Sequence, residues 1–297
     1  MMNKSIIKNE SLFYNIFAHG VFVLFCIGCI LPLLLVLGVS LSDEYSVAVN
    51  GFHLIPEKIS FKAYTYVLSS SGSLLNAYLV TIFVTVTGTC LSLLITSMFA
   101  YPISRKVLKY RNKVALFIFF PMLFNGGLVP WYILISRYLH LKDTILVMII
   151  PYLVISWYVL LMRNFFATIP DAMIESARID GAGELRTFFR IVIPLSLPAI
   201  ATIGLFSTLL YWNDWWLSLL FIENRSLMPL QYLLQSILMN IEVLISNPLT
   251  KLSRRIEVPS QTARMAMCII AIGPIIFAYP FYQKYFIKGL TIGAIKG

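Results

Sequence analysis

Six long apolar runs separated by short polar stretches organise this chain. They are Phe17–Ser40, Tyr78–Ser104, Val114–Ser136, Thr144–Met162, Ile191–Asn213 (carrying on past Asp214 to Ile222) and Met265–Gln283. A helix needs about 20 apolar residues to cross a hydrocarbon core of about 30 Å, and each run is about that long. Their apolarity is continuous rather than alternating, which predicts helices and not barrel strands. The apolar stretch from Ala63 is interrupted by Ser69-Ser70-Ser71-Gly72-Ser73 and Asn76, so the second helix is expected to begin near Tyr78. The expected fold is an all-α membrane protein of six transmembrane helices. A short lead over residues 1–16 precedes the membrane domain at 17–290, and a tail over 291–297 follows it. Two longer polar segments, Leu41–Ser73 and 223–264, lie on the face opposite the termini.

Breaks within the runs add detail. Pro32 is expected to kink the first span. The second span carries Thr81, Thr85, Thr87, Gly88, Thr89, Ser92, Thr96 and Ser97, a density of small and hydroxylated side chains that suits close helix packing. Pro121, Gly126, Gly127 and Pro130 fall within ten residues of one another and predict a broken third span. Irregular backbone at membrane depth is tolerated only beside protein or a cavity, so Asn125 and Tyr132 are candidates to line one.

Composition narrows the class. Hydrophobic residues make up 59% of the chain and charged residues 12%, against about a quarter charged in soluble domains. The net charge of +10 follows the membrane and is no sign of nucleic-acid binding. Lys4, Lys8, Arg105, Lys106, Lys109, Arg111, Lys113, Arg163, Arg178, Arg186, Arg190, Lys284, Lys288 and Lys296 all fall on one face, which the positive-inside rule makes cytoplasmic, with both termini. Cys26, Cys29, Cys90 and Cys268 sit inside apolar runs, and neither a redox pair nor a metal site has the companions it needs. No P-loop, HExxH or GxSxG text occurs, so no catalytic residue is assigned. The chain is expected to bind no metal and no cofactor.

The most polar segment between two runs is 170–198, PDAMIESARIDGAGELRTFFRIVIPLSLP. It predicts two short helices around a glycine corner. Pro170 is placed at the first helical position and Asp171 at the positive dipole end, with the turn at Asp180-Gly181-Ala182-Gly183. Glu175-Ser176-Ala177, three residues, Gly181, nine residues and Ile191-Val192-Ile193-Pro194 resemble the EAA loop of ABC-importer permeases, whose pattern is E-A-A-x3-G-x9-I-x-L-P. Ser176 and Ile193 depart from it by small or near-isosteric changes. The resemblance implies a type I, maltose permease-like transmembrane domain in the bacterial plasma (inner) membrane, with this loop as a cytoplasmic coupling hairpin. Glu175, Ala177, Asp180, Gly181, Ala182, Gly183 and Pro194 would then serve ATPase coupling. Implied partners are a homologous second permease, two ATPase subunits that bind ATP and Mg, and an extracytoplasmic solute-binding protein. An ordinary solvated loop, with Glu175 and Arg178 paired at i, i+3, is the plain alternative.

Other text narrows the resemblance to the permeases of complex oligosaccharide importers. It is Asn125-Gly126-Gly127-Leu128-Val129-Pro130-Trp131-Tyr132, while the closing YPFxQKYFxKG that begins at Tyr279 resembles sugar permeases in general. In the fifth run, Tyr211-Trp212-Asn213-Asp214-Trp215-Trp216 holds the one carboxylate within an expected span, and intramembrane ionisable groups are functional candidates. Aromatic rings beside amide and carboxylate groups are the chemistry that binds sugars. An aromatic belt at the outer interface is the competing reading. The candidate substrate path is Asn125, Tyr132, Tyr152, Trp157, Trp212, Asn213, Asp214 and Trp215. The expected function is import of a carbohydrate, an oligosaccharide in particular. An ion-gradient transporter, which needs midplane titratable groups and usually inverted repeats, fits less well. A polyamine permease would recruit fixed charge to the path, which looks largely neutral.

Overall fold

A computed structural model describes residues 3–71, 74–246 and 260–285. Among the described residues the chain is helical, with one isolated β-bridge between Ser42 and Ile59. It divides into two units, Met1–Gly72 with Ile237–Ile272 and Ser73–Ser236 with Gly273–Gly297.

In the first unit, α1 (Asn3–Ser40) runs unbroken through Pro32. Residues 3–16 of the expected lead are thus helical and continue into the first span. From Tyr14 to Ser40 this helix is long and apolar enough to cross a membrane, and its apolar side chains are almost all exposed. Apolar surface of that extent demands lipid or another protein. Cys26 and Cys29 lie on it, exposed. Two short helices follow, α2 (Glu44–Asn50) and α3 (Lys62–Ser71). Beside them packs α14 (Ser260–Ile272), which extends to Tyr285 as the last candidate span. Glu44 ties the unit together. Its carboxylate accepts from Ser260 Oγ (3.0 Å), the Gln261 N–H (2.9 Å), the Thr262 N–H (2.9 Å) and Thr262 Oγ1 (2.7 Å), filling the open N–H groups at the start of α14. Burial raises the Glu44 pKa, but the donors outweigh it and hold the carboxyl below the ordinary glutamate value.

The second unit is built around α4 (Leu74–Ser104). Its buried face is small and hydroxylated, from Ala77, Thr81, Thr85, Gly88 and Thr89 to Ser92, Thr96, Ser97 and Ala100. Small side chains let neighbouring backbones approach, and α11 (Leu197–Asn213) and α7 (Ser156–Phe166) pack along it. Thr208 joins this face to the last span, 3.4 Å from Thr89 Oγ1 and 2.8 Å from the Tyr282 hydroxyl.

Three of the expected spans are bent. The third breaks at Phe124–Gly127 between α5 (Arg111–Leu123) and α6 (Leu128–Ile133), and the two halves (to Tyr138) differ by 110°. The fourth turns 48° between Ile145–Tyr152 and α7. The fifth run, expected from Ile191, bends at Ser196: Glu184–Leu195 lies at 82° to α11, which begins at Leu197. Pro198 in the first turn of α11 and the Ser196 backbone (φ −104°, ψ 15°) account for the corner. The segment 223–264 contains a helix that the sequence reading lacked, α13 (Leu230–Ser246). The charged run Lys251–Glu257 and the closing residues 286–297 lie outside the described residues.

Candidate functional site

The polar segment folds as a hairpin. Pro170 occupies the cap position (φ −57°, ψ 133°) and not the first helical position assigned from sequence; α8 begins one residue later and runs Asp171–Ile179. Only Ile174 and Ala177 of α8 are buried. The helix ends in a Schellman arrangement. The Ala182 N–H donates to the Ala177 carbonyl (2.9 Å) and the Gly181 N–H to the Arg178 carbonyl (3.0 Å), with Gly181 at φ +80°. Gly183 has φ −73° and caps α9 (Glu184–Thr187), a conformation open to any residue. A π-helical turn, Phe188–Val192, and α10 (Ile193–Leu195) complete the second limb. Such turns are frequent at functional sites.

Across the corner, Arg178 donates to one Glu184 oxygen through Nε (3.0 Å) and Nη2 (2.6 Å). It does not pair with Glu175, which is exposed on the same limb. Asp180, Gly181 and Gly183 are exposed as well, and Ile179 and Leu185 flank them at 86% and 66% exposure. Two large apolar side chains are thus exposed together at the corner. Ala177 was expected among the coupling residues, yet it faces inward and closes the hairpin, while Ala182 is half-buried. Pro194 lies elsewhere, in a groove of about 580 Å³ between the limbs with Ala172, Met173, Ser176 and Arg190. Two side chains that hold the hairpin, Tyr101 and Arg105, were missed from sequence, as was Arg163, which ties α7 to the Ile103 carbonyl of α4. The basic residues among them had passed for orientation charges.

The second group surrounds Asp214, at the break between α11 and α12 (Trp216–Phe221). Its carboxylate accepts from the Tyr152 hydroxyl (2.9 Å) and from the backbone N–H groups of Trp216 and Leu217. Tyr152 stands edge-on to Tyr211 (5.9 Å), whose hydroxyl donates to the Ile149 carbonyl (3.0 Å). Asp214 thus ties the broken fourth span to the broken fifth. A cavity of about 550 Å³ opens beside it, lined by Asn125, Gly126, Gly127, Trp131, Tyr152 and Trp216 among others. The Asn125 side-chain oxygen accepts from the Gly127 N–H (2.9 Å), holding the break open with Gly127 at φ +85°.

Of the expected path residues, Asn125 and Tyr152 meet at this cavity, and Trp131 and Trp216 join them unforeseen. Asp214 reaches it only through Tyr152. Trp215 stands edge-on to Trp216 (5.8 Å). Asn213 bonds back to the Leu209 carbonyl (2.8 Å). The others do not line it. Tyr132 stacks flat on Phe221 (5.2 Å, 11°), Trp157 packs against Tyr158 and Phe206, and Trp212 is buried at 4% exposure. Aromatic residues in alternating contexts look alike in sequence, and only packing separates those that line a cavity from those that fill the core.

Comparison with known proteins agrees with this architecture. The profile of the family described as "Binding-protein-dependent transport system inner membrane component" matches residues 4–292. The polygalacturonan/rhamnogalacturonan transport system permease protein YtcP of Bacillus subtilis (strain 168) is 35% identical over 96% of this chain and 98% of its own length. The arabinooligosaccharides transport system permease protein AraQ of the same organism is 28% identical over 82% of this chain and 81% of its own. Among solved structures, a chain of a bacterial ABC transporter involved in the import of the acidic polysaccharide alginate superimposes with a TM-score of 0.77 at 28% identity. That match covers 93% of this chain and 98% of the other.

Proposed function

Because the chain belongs to the family of binding-protein-dependent transport system inner membrane components, we propose that it is the membrane-spanning permease subunit of an ATP-driven importer for an oligosaccharide. By their names, YtcP, matched over 98% of its length, and AraQ, matched over 81%, serve transport of polygalacturonan/rhamnogalacturonan and of arabinooligosaccharides. As a transport component it works beside other subunits. We assign these as a second, homologous permease, two ATPase subunits that carry ATP and Mg, and an external binding protein that delivers the solute. The termini and the hairpin are assigned to the cytoplasmic face, following the basic residues.

One observation supports the coupling role best: the glycine-cornered hairpin, with Glu175, Ile179, Asp180 and Leu185 outermost. A helical pair with a solvated apolar tip and few buried residues of its own suits a handle gripped by a partner. Closure of the ATPase pair would pull that handle and swing the bundle between two packed arrangements, a rigid-body change of the sort packed cores permit. The cavity beside Asn125, Trp131, Tyr152 and Trp216 suits a neutral sugar surface, with rings for its apolar faces and an amide and a hydroxyl for its hydroxyl groups. Its lining holds no cationic side chain. A uronate would therefore depend on the second permease for charge compensation.

The test is uptake into vesicles containing the assembled complex, with neutral and acidic oligosaccharides offered through their binding proteins. Uptake that requires internal ATP and survives an uncoupler supports the assignment. Uptake that persists without the ATPase subunits and collapses with an uncoupler overturns it in favour of a gradient-driven carrier.

A further inference from the structure

We propose that Arg105 and Tyr101, one turn apart at the end of α4, are positioning residues that carry motion of the hairpin into α4. The proposal rests on the coupling reading above and goes beyond it by naming the joint. The hairpin is covalently continuous with α7 through residues 167–170 and with α11 through the Phe188–Val192 turn, so those two helices follow it through the chain itself. No such link reaches α4, the helix along which both pack. It can follow only through side-chain contacts.

Beside an apolar cluster of Ala100, Ile103, Ile174, Phe188 and Val192, the polar contacts to the two limbs fall on two residues. Arg105 is 7% exposed, and a guanidinium that dry persists only when its donors are matched. It donates to the Phe166 carbonyl, the Ile169 carbonyl (3.3 Å), Asp171 Oδ1 (3.4 Å) and Ser104 Oγ (3.1 Å). Phe166 ends α7 and Asp171 begins α8, so a single planar fork spans the end of one helix and the start of the next. Helix C-terminal carbonyls lack partners within the helix and carry partial negative charge, which a cation at that point satisfies.

Tyr101 lies four residues earlier on the same face, its ring 5.6 Å beneath the guanidinium. Its hydroxyl donates to Glu184 Oε2 (3.2 Å), and Glu184 opens the second limb. The other oxygen of Glu184 holds Arg178 across the corner. The last turn of α4 therefore holds both limbs, one through each residue. Arg163 returns the tie from α7, its Nε donating to the Ile103 carbonyl (3.2 Å). A cavity of about 430 Å³ lies along the joint, lined by Tyr101, Arg105, Arg178, Glu184 and Phe188 among others. The Tyr101 ring also packs on Phe166 (6.5 Å) and Phe188 (5.4 Å), so the polar bonds add directional ties to an apolar contact at the same joint.

An orientation charge and a transmission joint differ in what lysine can replace. Lysine keeps the positive charge but loses the fork that reaches the end of α7 and the start of α8 at once. The experiment uses the whole complex in vesicles, with wild type, Arg105→Lys and Tyr101→Phe. It reads retained ATPase subunit, hydrolysis stimulated by loaded binding protein, and solute moved per ATP consumed. Both variants should retain the ATPase subunit. Solute per ATP should fall about tenfold for Arg105→Lys, and about threefold for Tyr101→Phe, which loses a single bond to a charged acceptor. Wild-type solute per ATP in Arg105→Lys would overturn the proposal. Should that variant fail to assemble, Tyr101→Phe decides alone, and a wild-type ratio there overturns it equally. A wild-type complex in which loaded binding protein stimulates no hydrolysis would defeat the coupling reading itself, and this inference with it.

Discussion

A Cβ added to Gly88 would sit 2.6 Å from Cζ of the Tyr211 ring. The ring cannot easily withdraw, because its hydroxyl is held by the Ile149 carbonyl and its edge meets Tyr152. Glycine here lets α4 and α11 approach across an aromatic plate.

Gly88→Ala should therefore force the two helices apart. Overpacking of a tight contact costs about 1–3 kcal/mol, and the thermal midpoint of the detergent-purified complex should fall accordingly. Gly88→Ala combined with Tyr211→Phe, which frees the ring from Ile149, should recover part of the loss. An unchanged midpoint in the single variant would show that the helices can shift without cost.

The two glycines of the hairpin corner should behave differently. Open space surrounds both, so backbone conformation alone separates them. Gly181 has φ +80°, where an L side chain costs about 1–2 kcal/mol, while Gly183 at φ −73° pays nothing. Gly181→Val should impair ATP-driven uptake with membrane insertion intact. Gly181→Asn should be milder, and Gly183→Ala close to wild type. Uptake in vesicles alongside ATPase subunit retention checks all three.

Acid should loosen the start of α14. Glu44 has a folded-state pKa below its unfolded value. Its contribution is thus fully present above the ordinary glutamate value of about 4.3 and is lost as pH falls through the folded-state pKa. Hydrogen exchange at Gln261 and Thr262, corrected for intrinsic rates, should accelerate on acidification below that value and stay flat above it. Glu44→Gln presents an amide to donors and should raise exchange at neutral pH, with a loss of about 1–3 kcal/mol for the unmatched groups.

Asp214 should prove to be a strut more than a sugar ligand. Its bonds run to Tyr152 and to the start of α12. Asp214→Asn keeps an accepting oxygen and should retain most uptake. Asp214→Ala leaves the Tyr152 hydroxyl and two N–H groups without their acceptor and should lower thermal stability by about 1–3 kcal/mol. Trp216→Ala, at the cavity itself, should instead raise the solute concentration needed for half-maximal uptake at little cost in stability, whereas Trp131→Ala should also destabilise, because its ring packs edge-on to buried Phe221 (5.2 Å). Equal effects of Asn and Ala at position 214 on uptake would return Asp214 to the substrate path.

Much of this protein follows from local properties of the chain. Runs of about 20 apolar residues demand a bilayer, because a helix satisfies its own backbone and lipid offers nothing else. The break at Phe124–Gly127 and the corner at Gly181 are legible for the same reason: φ values and missing N–H groups belong to single residues. A local signal was also overlooked. Leu230, Leu234, Ile237 and Ile241 recur at helical spacing and are all buried, within a segment read as polar and outside the membrane.

Tertiary structure alone decided what lies across the chain. Arg105 is written in a basic stretch with Lys106, Lys109, Arg111 and Lys113, and nothing nearby distinguishes it. Its partners stand more than sixty residues away, at Phe166, Ile169 and Asp171. Likewise Trp212 and Trp216 share one aromatic cluster, but the break at Asp214 between α11 and α12 sends one into the core and the other to the cavity. Apolar length and backbone conformation are summed along the sequence, whereas the partner of a buried charge is fixed only when helices distant in the chain come to rest against each other.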